Sequence, residues 1–310
     1  MAARLRAAVV AALVFVAADL QVRPAAQDAT FRANVAGVNL DVAVTRNGRP
    51  VRGLSARDFI LTDSGVTQRV DTASLETLPL SVFLVLDTSG SVAGEKLASL
   101  VTASRALVGA LRPGDRVSLV TFSDRVAVRV PLTTDAAAVA AALDTLTPGG
   151  QTALRDAAYS ALQLLPADKS RPIVLIFSDG RDTASWLTSG DVLGAVRRAG
   201  VVIHAVELVE EDVVVREGDV LGGGPRPEPS SRFLGDLVAS AGGRRWAASE
   251  PERLSDLFTD ALNEMRSRYL LTYYPTSVDR EGWHPLSVRL ARGRADVTHR
   301  PGYQVGARQR

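Results

Sequence analysis

Three short segments of the chain carry oxygen-bearing side chains of the kind that bind metal ions. They are residues 87–91 (DTSGS), 149–152 (GGQT) and 178–180 (SDG). The first and third follow continuous apolar runs that predict buried strands, and the second precedes a predicted helix. Ligands of open parallel sheets bind outside the carboxyl ends of the strands. The three segments are therefore expected to converge at that edge.

The residue types in these segments favour a hard divalent cation. Ser89, Ser91 and Thr152 offer neutral hydroxyl oxygens, and Asp87 and Asp179 supply charge directly or through bound water. Mg²⁺ prefers octahedral oxygen coordination and keeps several waters, so a few protein ligands are enough. Because the hydroxyls add no charge, the aspartates only neutralise the dication. An open position on such an ion favours a carboxylate from a partner.

This pattern resembles the metal-ion-dependent adhesion site of von Willebrand factor type A domains. That site combines Asp-x-Ser-x-Ser, a distant Thr after Gly-Gly, and a later Ser-Asp-Gly, and all three are present here. The resemblance covers residues 78–275. It implies that Ser89, Ser91 and Thr152 are hydroxyl ligands of Mg²⁺ or Mn²⁺, and that Asp87 and Asp179 are carboxylates often acting through water. It further implies a protein partner that presents an acidic group.

The whole chain also resembles bacterial proteins related to von Willebrand factor A, first grouped from acidobacteria. Residues 48–59 match the pattern Gly-x-Pro-Val-x-Gly-Leu-x-x-x-Asp-Phe. A tyrosine-rich stretch at 269–275 and Arg-Pro-Gly-Tyr at 300–303 match the end of that family. The resemblance adds little about function.

Apolar runs alternate with stretches of helical spacing through the middle of the chain. Strands are predicted at residues 82–86, 117–122, 126–130, 173–177, 201–206 and 269–274. Helices are predicted near residues 97–111, 135–145, 152–162, 191–198, 233–241 and 252–266. The alternation is typical of an α/β fold with a doubly wound, mostly parallel sheet flanked by helices. The run 269–274 is expected to be the last strand of this unit.

The flanking segments read as small β structures. Residues 28–77 alternate in polarity and contain the turn signal Asn47-Gly48, and residues 276–310 alternate at Leu286, Val288 and Leu290. Each offers too few strands for independent stability. We therefore expect the two segments to pair into one β module, with the domain at 78–275 inserted between them. The Gly- and Pro-rich stretch at 208–230 is interpreted as a mobile surface insertion.

The amino terminus has the layout of a secretory signal peptide over residues 1–27. Arg4 and Arg6 form a positive region, residues 7–18 are apolar, and small residues follow near Ala25. A dozen apolar residues are too few to span a bilayer comfortably, and no other stretch reaches the length that a transmembrane helix needs. The protein is thus predicted to be exported, to the periplasm or beyond, without a transmembrane helix in the mature chain.

Composition excludes several other classes of protein. The formal net charge is only +2 and neither sign forms a long run, which argues against nucleic-acid binding. The chain has no cysteine, so disulfides, thiolate metal sites and cysteine nucleophiles are excluded. The phosphate-loop spacing is not met, since Glu95 separates Gly94 from Lys96, and the nucleophile-elbow motif is missing.

The histidines and two nearby aspartates do not change this reading. His204 lies inside an apolar strand, while His284 and His299 lie in the tail without a supporting motif. Asp182 and Asp156 are interpreted as solvated or capping residues. We therefore predict an exported binding protein and not an enzyme. The alternative is a structural or assembly component of an envelope complex in which the metal site is incidental.

Overall fold

The computed structural model describes residues 37–75, 78–168, 170–208, 230–248, 250–279 and 281–306. All of the described residues belong to one compact unit. The predicted signal peptide, and residues 209–229 of the predicted insertion, lie outside the described residues. None of the helices in the described ranges has the length and apolarity needed to cross a membrane.

In these ranges the secondary structure consists of many short strands and six α-helices. The strands are β1 (Val38–Arg46), β2 (Arg49–Pro50), β3 (Phe59–Asp63), β4 (Val66–Gln68), β5 (Val70–Ser74), β6 (Leu80–Asp87), β7 (Arg116–Phe122), β8 (Val126–Thr133), β9 (Arg171–Ser178), β10 (Val202–Leu208), β11 (Arg245–Ala248), β12 (Tyr269–Tyr273), β13 (Gly282–Leu290), β14 (Asp296–Thr298) and β15 (Gly302–Val305). The helices are α1 (Glu95–Gly109), α2 (Ala136–Leu143), α3 (Leu154–Gln163), α4 (Ser189–Ala199), α5 (Ser230–Ala241) and α6 (Leu254–Arg266). Short 3₁₀ turns cover Ala56–Asp58, Gly90–Val92 and Pro251–Arg253.

A six-stranded sheet with the order β11-β10-β9-β6-β7-β8 forms the centre of the molecule. Its neighbours pair in parallel except β7 and β8, which are antiparallel. Every residue of β6 is buried, as expected for a strand covered on both faces. Helices α1, α2 and α6 pack on one face, and α3, α4 and α5 on the other. The α/β class predicted from the sequence is confirmed.

Two antiparallel sheets flank this unit. One has the order β14-β1-β12-β5, with β2 paired to β1, and the other has the order β15-β13-β3-β4. Segments from both ends of the chain meet in each sheet, since β14 pairs with β1 and β13 pairs with β3. The two sheets share one apolar cluster that includes Leu40, Leu61, Leu271 and Val288. They therefore form a module with a core of its own.

The prediction that residues 269–274 form the last strand of the α/β unit is wrong. This segment is β12, which lies between β1 and β5 in a flanking sheet. Its burial alternates, with Tyr269, Leu271 and Tyr273 buried and the residues between them partly exposed. A strand buried on one face suits the module, whereas the central strands are buried on both. The strand beyond β10 at that edge of the central sheet is instead β11, which, like β15, was not predicted from the sequence.

A buried carboxylate joins the two flanking sheets. Asp63 of β3 is fully buried and accepts hydrogen bonds from Tyr273 Oη (2.8 Å) and Tyr303 Oη (2.7 Å). Its other oxygen accepts one from Ser64 Oγ (3.0 Å) and lies 3.0 Å from His284 Nδ1. Burial would raise the pKa of Asp63, but these hydrogen bonds outweigh it and lower the pKa. Since Tyr273 belongs to the opposite sheet, the charge fixes how the sheets pack.

Candidate metal centre

Two of the predicted metal-binding segments are tied together by backbone hydrogen bonds at the carboxyl edge of the central sheet. Strand β6 ends at Asp87, and the loop that follows runs beside residues 149–150. Gly149 N donates to Thr88 O (2.9 Å), and Gly90 N donates to Gly150 O (3.1 Å). The serines of the first segment and Thr152 of the second are therefore held in a fixed relation.

The third segment is joined to the second through Thr152. Thr183 N and Ala184 N both donate to Thr152 O, at 2.8 and 3.0 Å. In return, Thr152 N donates to Thr183 Oγ1 (3.0 Å). The loop after β9 thus fixes the threonine backbone from both sides, and all three segments meet at one edge, as the strand order requires.

Asp87 is completely buried at the end of β6. Its Oδ1 accepts a hydrogen bond from Ser89 N (2.9 Å), and its Oδ2 accepts one from Ser178 Oγ (2.8 Å). Burial raises the pKa of Asp87, the hydrogen bonds from Ser89 and Ser178 oppose that rise, and the charge of Asp179 adds to it. The ionised carboxylate is therefore costly without a cation nearby.

The other oxygen atoms of the site make few hydrogen bonds within the described protein, so they could bind a cation. Ser89 Oγ lies 3.0 Å from Ser91 Oγ, with Ser89 buried and Ser91 exposed. Asp179 accepts from Arg181 N (3.1 Å) at Oδ1 only, and its Oδ2 has no hydrogen bond to any described residue. The Thr152 hydroxyl also has no hydrogen bond to any described residue, although Thr152 is only 4% exposed. Hydroxyl and carboxylate oxygens grouped in this way fit a small hard cation.

The five residues suit a cation that accepts neutral oxygen ligands. Within the described ranges, no group of three or more His, Asp or Glu side chains is arranged to hold a metal ion. A cation here would depend on the hydroxyls of Ser89, Ser91 and Thr152, with Asp87 and Asp179 supplying the charge. Such an ion supplies an electrophilic position for an anionic group.

A third carboxylate near the site escaped the sequence analysis. Glu207 lies near the end of β10, is 6% exposed and pairs with Arg245 (3.1 Å). Burial raises its pKa, Arg245 opposes this, and Asp179 raises it further. A Cβ on Gly180, which has φ +80°, would lie 2.7 Å from Glu207 Oε1. An acid at the carboxyl end of an apolar strand next to β9 was the signal that could have revealed it.

The two aspartates interpreted as capping residues hold loops in place. Asp182 accepts from Arg155 N (2.8 Å) and pairs with the Arg155 side chain (3.1 Å). It therefore satisfies the first turn of α3, whose own N-cap residue is an alanine. Asp156 accepts from Trp186 N and Leu187 N, both at 3.0 Å. Both carboxylates thus act on the backbone beside the site.

An exposed aromatic side chain lies on the same loop. Trp186 is 94% exposed, whereas its backbone is held by the hydrogen bond to Asp156. It follows Ala184, which donates to Thr152 O, by two residues, so its main chain lies within about 10 Å of Thr152. Arg181, also exposed, directly follows the third segment. The surface around the candidate centre therefore combines an apolar group and a positive charge.

The family model for the von Willebrand factor type A domain matches residues 82–181. Among solved structures, a von Willebrand factor type A protein from Catenulispora acidiphila is 12% identical over 89% of this chain and 74% of its own, with a TM-score of 0.50. Proximal thread matrix protein 1 from the mussel byssus has a zinc-occupied metal-ion-dependent adhesion site (MIDAS) motif. It is 20% identical over 64% of this chain and 48% of its own, with a TM-score of 0.50. An aerotolerance-related membrane protein from Bacteroides fragilis is 15% identical over 60% of this chain and 99% of its own, with a TM-score of 0.47.

Proposed function

The chain contains a von Willebrand factor type A domain, and from this premise we propose that it binds a partner protein through a divalent metal ion. Asp87, Ser89, Ser91, Thr152 and Asp179 would hold the ion, and an acidic group of the partner would complete its coordination. Mg²⁺ or Mn²⁺ is the proposed ion because every ligand is an oxygen. Zinc in the mussel protein's MIDAS motif supports metal binding by this kind of site.

One observation carries this proposal. At a single edge of the sheet, two carboxylates and three hydroxyls converge, and oxygens of Thr152 and Asp179 have no hydrogen-bond partner among the described residues. Polar groups left this way favour an additional ligand. Exposed Arg181 adds positive charge at the rim, which suits an incoming carboxylate.

Binding is favoured over catalysis because no histidine or cysteine among the described residues lies at the site to serve as a base or nucleophile. The chain has three histidines and no cysteine. His204 accepts from Arg244 N, His284 contacts Asp63 and His299 contacts Arg300 O, so each is engaged elsewhere. Of the carboxylates at the edge, Asp87 and Asp179 are the proposed ligands, and Glu207 is paired with Arg245. We propose that an ion held by these residues would bind an acidic group of the partner, with no chemical step following.

Titration calorimetry tests the metal half of this proposal. The purified chain is expected to bind Mg²⁺ and Mn²⁺ saturably, and Asp179→Ala to bind them far more weakly because half of the compensating charge is lost. Asp144→Asn, an exposed aspartate after α2, serves as the control and should bind like the unaltered chain. Equal binding by Asp179→Ala would remove the metal proposal.

The partner half is tested by capture from an envelope extract, with Mg²⁺ and with chelator in parallel. Capture should be lost in chelator, because the ion bridges the two proteins. Capture that persists fully in chelator contradicts metal-dependent recognition even if the metal binds.

Trp186 is expected to strengthen the contact with the partner. Exposed tryptophans beside a polar anchor often dominate interface energy, so Trp186→Ala should weaken partner binding about tenfold or more. Affinity for Mg²⁺ should not change, because the indole is not a ligand. Trp283→Ala, which removes a partly exposed tryptophan of the flanking module, is the matched control. Equal losses in both variants, or a change in metal affinity, would contradict a local role for Trp186.

We further propose that the protein acts outside the cytoplasm, because of the signal-peptide pattern over residues 1–27. Cell fractionation is expected to yield a processed chain that begins shortly after Gln27. Full-length, unprocessed chain confined to the cytosolic fraction would refute this location.

A further inference from the structure

Strands β13 and β14 follow one another in the chain but separate into different sheets. Near Leu286 the hairpin is closed, since Leu286 N donates to Pro301 O (2.8 Å). Two residues on, Val288 N donates to His299 Nε2 (3.2 Å), so a side chain takes the place of a backbone carbonyl. Beyond this point β13 stays with β3 while β14 pairs with β1. The hairpin is therefore splayed open towards its loop.

The splayed strands enclose a cleft of about 740 Å³. Its apolar lining includes Val288, Leu290 and Val297, which belong to or pack on the module core. Its charged lining consists of Arg46, Arg289 and Arg294 against the single acid Asp296. The cleft thus joins an apolar floor to a cationic rim.

The three arginines are available to a ligand. All are exposed, and within the described part of the chain none of them forms an ion pair. Arg46 Nε donates to Arg294 O (3.2 Å), which holds its guanidinium against the loop and leaves the other N–H groups directed elsewhere. Guanidinium groups bind carboxylates through paired hydrogen bonds. The rim is therefore complementary to acidic side chains.

The cleft is also bordered by strand edges that the described residues leave open. Within the described part of the chain, strand β14 is the last of its sheet, so one of its edges has no neighbouring strand there. On β13, residues 286–290 pair with β3 along one edge. Along the other edge, β15 covers residues 282–285 and the N–H groups of Leu286 and Val288 are already bonded, so the described backbone is open only beyond Val288. Open edges present backbone N–H and C=O groups that can pair with an added strand.

From these features we propose that the cleft binds an extended acidic segment of another polypeptide, which adds as a strand between β13 and β14. The open edges supply backbone partners, the apolar floor receives every second side chain, and the arginines bind the acidic residues that alternate with them. A sulfated glycan or an anionic lipid would use the arginines but not the strand edges. This site lies in the flanking module and is independent of the metal centre.

The test uses fluorescence anisotropy of a labelled peptide of alternating glutamate and valine, titrated with the full chain in chelator. The peptide should bind, and Arg46→Gln/Arg294→Gln should weaken binding at least about tenfold through lost charge-assisted hydrogen bonds. Arg232→Gln/Arg253→Gln removes two exposed arginines from the helical region and should bind like the unaltered chain. Failure of the unaltered chain to bind, or equal weakening in both double variants, overturns the proposal.

A second peptide tests strand addition without altering the protein. Replacing its valines by prolines keeps the charge but removes backbone donors, so binding should fall at least about tenfold. If the proline peptide or a heparin fragment binds as tightly, with the same dependence on the arginines, the cleft is a general polyanion site and strand addition is wrong. Binding that requires Mg²⁺ would assign the peptide to the metal centre instead.

Discussion

Asp87→Asn is expected to lower the affinity for Mg²⁺ and Mn²⁺ by about a hundredfold or more, exceeding the effect usual for groups that only support metal ligands. Asparagine has the size of aspartate, and its carbonyl oxygen can still accept from Ser89 N. Its amide nitrogen would face Ser178 Oγ, which can accept a hydrogen bond in place of donating one. The variant should therefore fold, and the loss of affinity should come from the missing charge.

In the chain without metal, the same substitution is expected to leave the melting temperature unchanged or to raise it. Since burial raises the pKa of Asp87, its ionised form destabilises the folded state in the absence of a cation. In chelator, Asp87→Asn should melt at the same temperature as the unaltered chain or above it. In Mg²⁺ only the unaltered chain should gain stability, because a ligand that binds the native state stabilises it. Asp144→Asn should follow the unaltered chain in both conditions.

Two outcomes would separate the competing functions. Loss of partner capture together with loss of metal binding supports recognition through the ion. Loss of metal binding with unchanged capture of the partner supports an assembly component whose metal site is incidental. A variant that retains metal-dependent stabilisation would instead show that Asp87 is not needed by the site.

The meeting of the three oxygen-rich segments could be predicted from sequence because each of them is attached to a regular element. Asp87 and Asp179 adjoin the ends of continuous apolar runs, and Thr152 precedes a helix, so strand order alone places them at one edge. Glu207 could not be recognised from a motif, because its proximity depends on β10 lying beside β9 and on Gly180 leaving room for its side chain.

The position of β12 was harder to predict, because its sequence is compatible with either sheet. Tyr269-Leu270-Leu271 resembles a continuous apolar run, yet only alternate residues are buried. What decides its place is long-range: Tyr273 Oη donates to Asp63, and Tyr269 Oη donates to Val51 O (3.0 Å). Partners more than two hundred residues away in the chain leave no local pattern.

A buried charge network links the last helix of the domain to the central sheet. On α6, Glu264 contacts Arg268 (2.8 Å) and His204 of β10, whose Nε2 lies 2.9 Å from Oε2. Arg268 and His204 are fully buried. Arg244 N donates to His204 Nδ1 (2.8 Å), so the ring proton is on Nε2, facing the carboxylate. Burial lowers the pKa of His204, which keeps the ring neutral and leaves Glu264 as the counter-charge of Arg268.

Glu264→Gln is expected to reduce the free energy of unfolding by about 3–5 kcal/mol, the usual cost of removing one partner of a buried ion pair. The amide keeps the volume but leaves the Arg268 guanidinium buried without its counter-charge. The midpoint of thermal unfolding should fall by roughly 10 °C for a domain of this size. Glu252→Gln, at an exposed position in the turn before α6, should change neither quantity measurably.

The pH dependence of the lost free energy of unfolding shows whether the charge of Glu264 or its packing is responsible. Burial alone would raise the pKa of Glu264, but His204 and Arg268 outweigh it and lower the pKa to about 2. A carboxyl group whose pKa is depressed by folding stabilises the native state above its ordinary value of 4.5, and that contribution disappears as the pH falls towards 2. Urea unfolding should therefore separate the two chains most at pH 7 and progressively less in acid. A difference that stays constant down to pH 3 would mean that lost packing, and not the charge of Glu264, destabilises the variant.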